Sequence, residues 1–498
     1  MSAIITEKFR QHNANQFFES FTETAGNTYY LFLGKATPFT SGTTTGSDSS
    51  PPTPQDGEQD ETRAWDAMLA AKKIASTDIT YAIPRRNWVN GTTYDMYEHN
   101  ISSANTSTSG ASNIYDSTFY FVTSDYRVYK VLDNGGGVAY DGAEPTSTST
   151  SPFELGGYVL KYMYDISTTD IGKYVTTDFI PVATDSTVST AALDGAIESL
   201  TITAGSGYTD GTYYAAVYGD GTSQGTSSGA IIRITVSSGA IASFGLTAGT
   251  DTTVHAAGAA YTFGFVNLAA GYTFSDSGLT SASNIGGSGG VINVVISPED
   301  GHGNNAVTEL GGHYIMSAST ITQAENDDFS TANDFRQVGI VVDPTTYGTT
   351  TVASSTTARQ TNVVRFTSYS GTFEADEVIT QATTGASGKV VEWDSVLQLL
   401  YYQQENFKGY GTDATTGGLV AFSGTPVITG GTSGATGTPS STSSEEVTLA
   451  NSNTLTLTSG YANPELQPDS GDIIYLENRK PIQRASDQTE DIKIIIEF

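Results

Sequence analysis

The sequence predicts a mainly β fold: a β-sandwich-like core with a few decorating helices and inserted all-β domains. Three observations point there. Of 498 residues, 53 are Gly, and Thr and Ser crowd the stretches between apolar runs, the texture of many short strands joined by turns. Only 15% of residues are charged while 10% are aromatic, with Tyr the commonest ring at 28 copies, which sets the chain apart from acidic disordered tails. The apolar runs are short and rich in branched and aromatic residues, such as TYYLFL at 28–33 and VINVVI at 291–296. At roughly 100–200 residues per domain, the length allows two to four units, ample for sizeable cores.

The elements follow in order. Ile5 and Phe9, then Phe17 and Phe21, recur four apart and predict a first helix. Residues 28–33 predict a strand closed by Gly34 and a turn at Thr37-Pro38, and residues 40–57 are loop by composition. A second helix is expected over 58–74, where Trp65, Met68 and Leu69 fall at i, i+3 and i+4 behind an acidic first turn and ahead of Lys72-Lys73. After Ser76 the pattern turns to β. Residues 118–122 and 127–132 read as a hairpin, 157–166 as a further strand, and the Ser/Thr stretches 101–113 and 143–152 as exposed loops.

Residues 190–295 carry an imperfect internal repeat: Ile202-Thr-Ala-Gly-Ser-Gly-Tyr208 in one copy and Leu268-Ala-Ala-Gly-Tyr272 in a looser one, each followed by an apolar strand, at 230–236 and 291–296. The Tyr residues are expected to pack against those strands. Short strands are also expected at 363–366, 378–379, 389–393 and 397–402, a mobile Gly/Ser/Thr/Pro stretch at 423–445, and closing strands at 472–476 and 491–498, the last docked in a sheet. The expected organisation is 1–189, N-terminal helices and β core; 190–295, an inserted β domain; 296–345, a return to the core; 346–461, a second insertion; and 462–498, C-terminal core strands.

Composition excludes several functions. The formal net charge of −31 argues against binding nucleic-acid phosphates. No apolar run reaches the roughly 18 residues of a membrane-spanning helix, so no membrane insertion is expected. No basic-then-apolar secretory signal opens the chain. Cys is absent, which removes disulfides, thiolate metal sites and Cys nucleophiles, and fits folding in a reducing cytosol.

Motifs for catalysis are equally thin. Gly286-Gly-Ser288-Gly-Gly290 matches a nucleophile elbow literally, but Gly-rich chain precedes Ser288 and a strand follows it, which reads as a linker. Gly385-Ala-Ser-Gly388-Lys389 lacks the first Gly and the Ser/Thr of a phosphate loop and opens a strand, so it reads as a turn. His302, Glu309 and His313 are the one local cluster that suggests a metal; their spacing is longer than the i, i+4 of zinc helices and crosses Gly311-Gly312, so turn or surface roles are expected. No calcium-loop pattern is present, and no pair of carboxylates is singled out for glycan hydrolysis. No catalytic residue, metal site or cofactor is therefore expected.

Two segments stand out. Ile83-Pro84-Arg85-Arg86-Asn87-Trp88 sets adjacent cations beside a Trp, suited to stacked or bidentate contacts with a partner or to pairing with the chain's own carboxylates. Ile474-Tyr475-Leu-Glu477-Asn478-Arg479-Lys-Pro-Ile482, with Asp487-Gln488-Thr-Glu490, places polar groups between two strands. With Ile5-Thr-Glu-Lys-Phe9-Arg10, Tyr158-Val159, Gly301-His-Gly303 and Asp334-Phe-Arg-Gln337-Val-Gly339, they resemble, in order, the gene-product-eight family, the baseplate wedge proteins of T-even-type contractile-tailed phages. The resemblance covers roughly 1–185, 296–345 and 462–498 and is weak over 190–295 and 346–461.

The resemblance implies a non-enzymatic, mainly β homodimer that sits beside other wedge proteins in the tail baseplate of the virion, after synthesis in the host cytoplasm. Pro84, Arg85, Arg86, Trp88, Tyr475, Glu477, Asn478, Arg479, Asp487 and Gln488 are the candidate structural or interface residues it singles out. A host-surface adhesin built on 190–295 and, behind it, a glycan depolymerase are the alternatives.

Overall fold

Strands dominate and the helices are short, as the composition predicts. The computed structural model describes residues 5–23, 26–39, 46–226, 228–268, 271–275, 278–283, 285–406, 410–413, 415–450 and 452–498, with backbone alone over 271–275 and 278–283. The chain divides into two units. One comprises Met1–Gln16, Thr80–Met316 and Ile495–Phe498, the other Phe17–Ile79 and Ser317–Ile494.

The first unit is built around an antiparallel sheet ordered Tyr120–Val122, Arg127–Asp133, Tyr158–Asp165, Phe153–Leu155. Its first pair is the expected hairpin, with Tyr120 opposite Lys130. Every residue of Tyr158–Asp165 except Asp165 is buried, so the strand is covered on both faces and shows no polar alternation. Tyr120, Tyr129, Tyr158 and Tyr164 are fully buried, yet each hydroxyl reaches a main-chain carbonyl: Pro84 at 2.7 Å, Ser147 at 2.9 Å, Val138 at 2.6 Å and Pro181 at 3.1 Å. The loop at 101–113 is tied down by Asp95, which is 1% exposed and accepts from the N–H of Ser109 and of Thr118, both at 2.7 Å.

Residues 190–295 lie in this same unit. Gly211–Gly219 pairs with Ile231–Ser237, Tyr213 opposite Ile234. Ile197–Thr203 pairs with Val291–Ile296, Leu200 opposite Val294, and so joins the two ends of the segment. Their apolar side chains form one cluster with Leu132 and Val159 of the four-stranded sheet. Tyr208 packs in that cluster as expected, and its hydroxyl accepts the Gly290 N–H at 3.0 Å. The side chain of Tyr272, in the second copy of the repeat, lies outside the described residues.

The second unit contains a sheet ordered Thr357–Arg359, Met68–Lys73, Tyr29–Gly34, Phe335–Val342, Asp472–Ile482. Both Tyr29–Gly34 and Phe335–Val342 are buried throughout. Gly339 sits opposite Phe32, where an added Cβ would stand 2.3 Å from the Phe32 ring, so the close approach requires Gly. The second helix is shorter than the periodicity predicts. It runs Glu58–Ala67, and Met68–Lys73 is a strand. Trp65, Met68 and Ala71 enter one cluster with Tyr30, Phe32 and Val341, and pairing of Ala71 with Phe32 wins over local helix preference.

A second sheet of this unit closes on itself through Leu399–Gln403, Ala386–Asp394, Val378–Gln381, Ile428–Gly430, Thr436–Pro439 and Asn362–Ser370, the last pairing back to the first. The stretch expected to be mobile at 423–445 thus supplies two barrel strands. Its Gly/Ser/Thr turn is organised by Glu377, which is 4% exposed and accepts from the N–H groups of Thr432 and Ser433, each at 3.0 Å. Residues 40–45 of the expected loop at 40–57 lie outside the described residues.

Tyr30 is fully buried and its hydroxyl donates to the Ser355 carbonyl at 2.6 Å. Tyr30→Phe keeps the ring and orphans that carbonyl, so urea unfolding is expected to show a loss of about 1–3 kcal/mol. The same change at the exposed Tyr347 is expected to stay within about 0.5 kcal/mol.

Candidate interaction surfaces

In the first unit Pro84 ends the strand Ile79–Pro84 opposite Phe179. Arg85 then folds back, Nη1 donating to the Thr176 carbonyl at 2.9 Å and Nε to Asn87 Oδ1 at 2.8 Å. The guanidinium of Arg86 lies 4.4 Å from the centre of the Tyr120 ring, and its Nη2 donates to the Tyr115 carbonyl at 2.7 Å. Trp88 is half-buried and meets Tyr140 edge-on at 5.8 Å. Both arginines therefore bind main-chain carbonyls of distant loops and fix where those loops run.

Arg86 also borders a polar cleft of about 370 Å³ with Glu7, Arg10, His313, Tyr314 and Glu497. His313 is mostly buried, its Nδ1 3.6 Å from Glu7 Oε2 and its Nε2 4.0 Å from Glu497 Oε1. Burial holds its pKa down, against the pull of Glu7. Arg10 spans the same two acids, 2.9 Å from Glu497 and 4.0 Å from Glu7.

The structure separates the local His/Glu cluster read from the sequence. His313 lines the cleft, while His302 and Glu309 are fully buried rather than at a turn surface, and both contact Lys130. Lys130 Nζ donates to Glu309 Oε2 at 2.8 Å and to His302 Nδ1 at 2.9 Å, and stands 4.0 Å from the centre of the Tyr97 ring. Glu309 Oε1 accepts the Gly303 N–H at 2.6 Å. Burial works against the Glu309 carboxylate, but the Lys130 charge and the His302 contact outweigh it and hold its pKa below the ordinary value. Burial and the adjacent ammonium keep His302 neutral. An ammonium thus occupies the place between these two side chains. Lys130 was invisible to sequence reasoning because it stands 172 and 179 residues from its partners.

The other candidate residues lie in the second unit. Asn478 accepts from Gln337 Nε2 and donates to the Pro52 carbonyl, both at 2.8 Å. The Tyr475 hydroxyl donates to Glu477 at 2.9 Å, and Arg479 is 3.4 Å from the same carboxylate. Asp487 is exposed in the link before the last strand, and the Gln488 carbonyl accepts the Gln323 N–H at 2.9 Å. Tyr475, Glu477 and Arg479 meet one another; Asp487 and Gln488 stand apart from them. Leu476 and Asn478 border a cavity of about 140 Å³ with Lys35, Arg63 and Gln337.

A family model described as bacteriophage T4 Gp8 matches residues 3–150 and 442–498. The first stretch contains Pro84, Arg85, Arg86 and Trp88, the second Tyr475, Glu477, Asn478, Arg479, Asp487 and Gln488; residues 151–441 lie outside the match. No curated protein matches the chain.

Removing Lys130 alone strands a buried carboxylate. Lys130→Met is expected to cost about 3–5 kcal/mol in denaturant unfolding. The double variant Lys130→Met/Glu309→Gln is expected to cost clearly less than the sum of the single changes. Because the folded pKa of Glu309 is depressed, the pair's contribution is present above the ordinary 4.5 and is lost as pH falls through the lower folded value. The gap between wild type and the double variant should therefore shrink only below pH 4.5.

Proposed function

From the match to the bacteriophage T4 Gp8 family model we propose that the chain is a member of that family and a dimeric connector of the baseplate wedge, holding neighbouring wedge proteins through tail assembly and sheath contraction. The coarser part of the reading, a structural protein of a phage tail baseplate, is what the matched family model supports. The observation that carries the proposal is the family match at both ends of the chain, which takes in both motif segments.

The internal bonding supports a bracket. The guanidinium groups of Arg85 and Arg86 and the amide of Asn478 are engaged within their own units, so these segments stiffen the fold. A rigid subunit transmits motion by rearranging its contacts, as domains and subunits do about an interface. A closed two-fold pair is the default symmetry for such a homo-oligomer. The reading assigns no catalysis and no cofactor.

The adhesin reading has one observation in its favour. Outside the family match, Phe263 and Phe265 are 57% and 56% exposed, and Phe265 stacks on Tyr218 at 5.8 Å. Exposed rings of this kind offer a flat contact to another surface.

Reconstruction of the particle before and after contraction tests the main reading. It is expected to find two copies in mutual contact in the baseplate, with superimposable backbones in the two states. A chain absent from the particle, or one that sediments as a stable monomer at micromolar concentration, overturns it. Phe263→Ser/Phe265→Ser separates the readings: on the connector reading, tails assemble and adsorb normally; on the adhesin reading, tails assemble but adsorption falls.

A further inference from the structure

The second unit holds a buried lysine, Lys35, that makes no ion pair among the described residues; burial pulls its pKa down, and the charge of Glu405, farther off, pulls it up. Lys35 is 5% exposed and borders the cavity of about 140 Å³. Its Nζ donates to Thr37 Oγ1 at 2.8 Å, and among the described residues no carboxylate lies within ion-pair distance of it. An ammonium carries three donors, so two remain. The neighbouring Arg336 adds a like charge, and it holds Asp48 at 2.9 Å and Asp334 at 2.8 Å on its own guanidinium.

The facing wall has a free acceptor. Gln337 is 9% exposed, and its Nε2 is fixed on Asn478 Oδ1, which orients the amide and leaves Oε1 buried with no hydrogen-bond partner. Arg63 Nε is likewise buried without a partner, while its Nη1 holds Asp60 at 3.1 Å. Phe39, Pro52, Pro54, Ala67 and Leu476 form the apolar part of the wall, and Thr53 and Gln55 complete it. Of the acids there, Asp60 is spent on Arg63, and Asp66 accepts two hydrogen bonds from Asn406, both at 2.7 Å. Glu405 remains, beyond ion-pair distance of Lys35.

We propose that this cavity binds a carboxylate that carries a short apolar group and an N–H, with Lys35 and Arg63 donating to the carboxylate, Gln337 Oε1 accepting the N–H, and the apolar wall receiving the side chain. Water fills the hydrogen bonds of such a site but does not neutralise the buried charge, whereas a carboxylate does both. The space matches about five waters, or one amino-acid-sized group. The same chemistry is offered by the C-terminal residue of another polypeptide and by a free N-substituted amino acid. The inference goes beyond the baseplate reading and is tested on the isolated full chain.

The experiment is calorimetric titration of the full chain with N-acetylleucine, N-acetylleucinamide, 3-methylbutanoate and a decapeptide ending in free Leu. N-acetylleucine is expected to bind, and its amide at least about tenfold more weakly, because a hydrogen bond to a charged group is lost. 3-Methylbutanoate, which lacks the N–H, is expected to bind more weakly than N-acetylleucine. Binding of the decapeptide as tightly as N-acetylleucine assigns a chain end; its exclusion assigns the free small molecule. Lys35→Met is expected to unfold cooperatively, melt higher than wild type because a buried charge is gone, and lose binding. Leu476→Trp, which fills the cavity and leaves the charges in place, is expected to block binding too. Absence of binding by N-acetylleucine, equal binding of its amide, or undiminished binding by a folded Lys35→Met overturns the proposal.

Discussion

Every loop of this chain that runs beside a core must find partners for its main chain, and the tyrosines meet that demand from inside. Long Ser/Thr/Gly stretches contribute almost no apolar area, so nothing of their own packs them down. A buried ring fills the core while its hydroxyl extends to the edge and fixes a carbonyl there. Tyr120 does this for Pro84, Tyr129 for Ser147 and Tyr158 for Val138 in one unit, and Tyr30 for Ser355 in the other. The high Tyr count and the high loop content are therefore two sides of one design, since Phe supplies the ring but leaves the carbonyl bare.

Carboxylates perform the complementary service for main-chain N–H groups. Asp95 and Glu377 are buried, and although burial opposes their charge, the N–H and hydroxyl groups around them hold both pKa values below the ordinary range. Their contribution is present above those ordinary values and fades as pH falls through the lowered ones. A net charge of −31 thus does not translate into a uniformly repulsive surface: part of it is consumed inside, organising turns.

What could be read from the sequence was what depends on neighbours in the chain. The strand at 28–33, the hairpin at 118–132 and the terminal strand all have local signatures. The end of the second helix did not, because Met68–Lys73 is decided by the strands beside it, with Ala71 opposite Phe32. The order at 423–445 was hidden for the same reason: Glu377, 55 residues from Thr432, supplies what the Gly/Ser/Thr run lacks. Among the candidate residues, the motifs marked Arg86 and Asn478, but not the carbonyls they serve; for Arg85 and Arg86 the sequence left a partner and the chain's own carboxylates open, and both bind main-chain carbonyls instead.

Of the three lysines buried among the described residues, Lys130 and Lys35 make the sharpest contrast. Lys130 and Lys35 are both removed from water, and each ammonium carries a similar desolvation cost. At Lys130 the fold supplies a carboxylate, a ring face and an imidazole, so the cost is offset inside the unit and nothing further is required. At Lys35 it supplies a single hydroxyl and a cavity wall that mixes apolar residues with Arg63, Gln337 and Glu405, although a Met there would satisfy the same packing without the charge. Lys161 is a third buried ammonium with a single hydrogen bond, to the Thr150 carbonyl at 2.6 Å, so what sets Lys35 apart is the cavity it borders, where Gln337 is oriented by Asn478 and Asn478 is held on the Pro52 carbonyl.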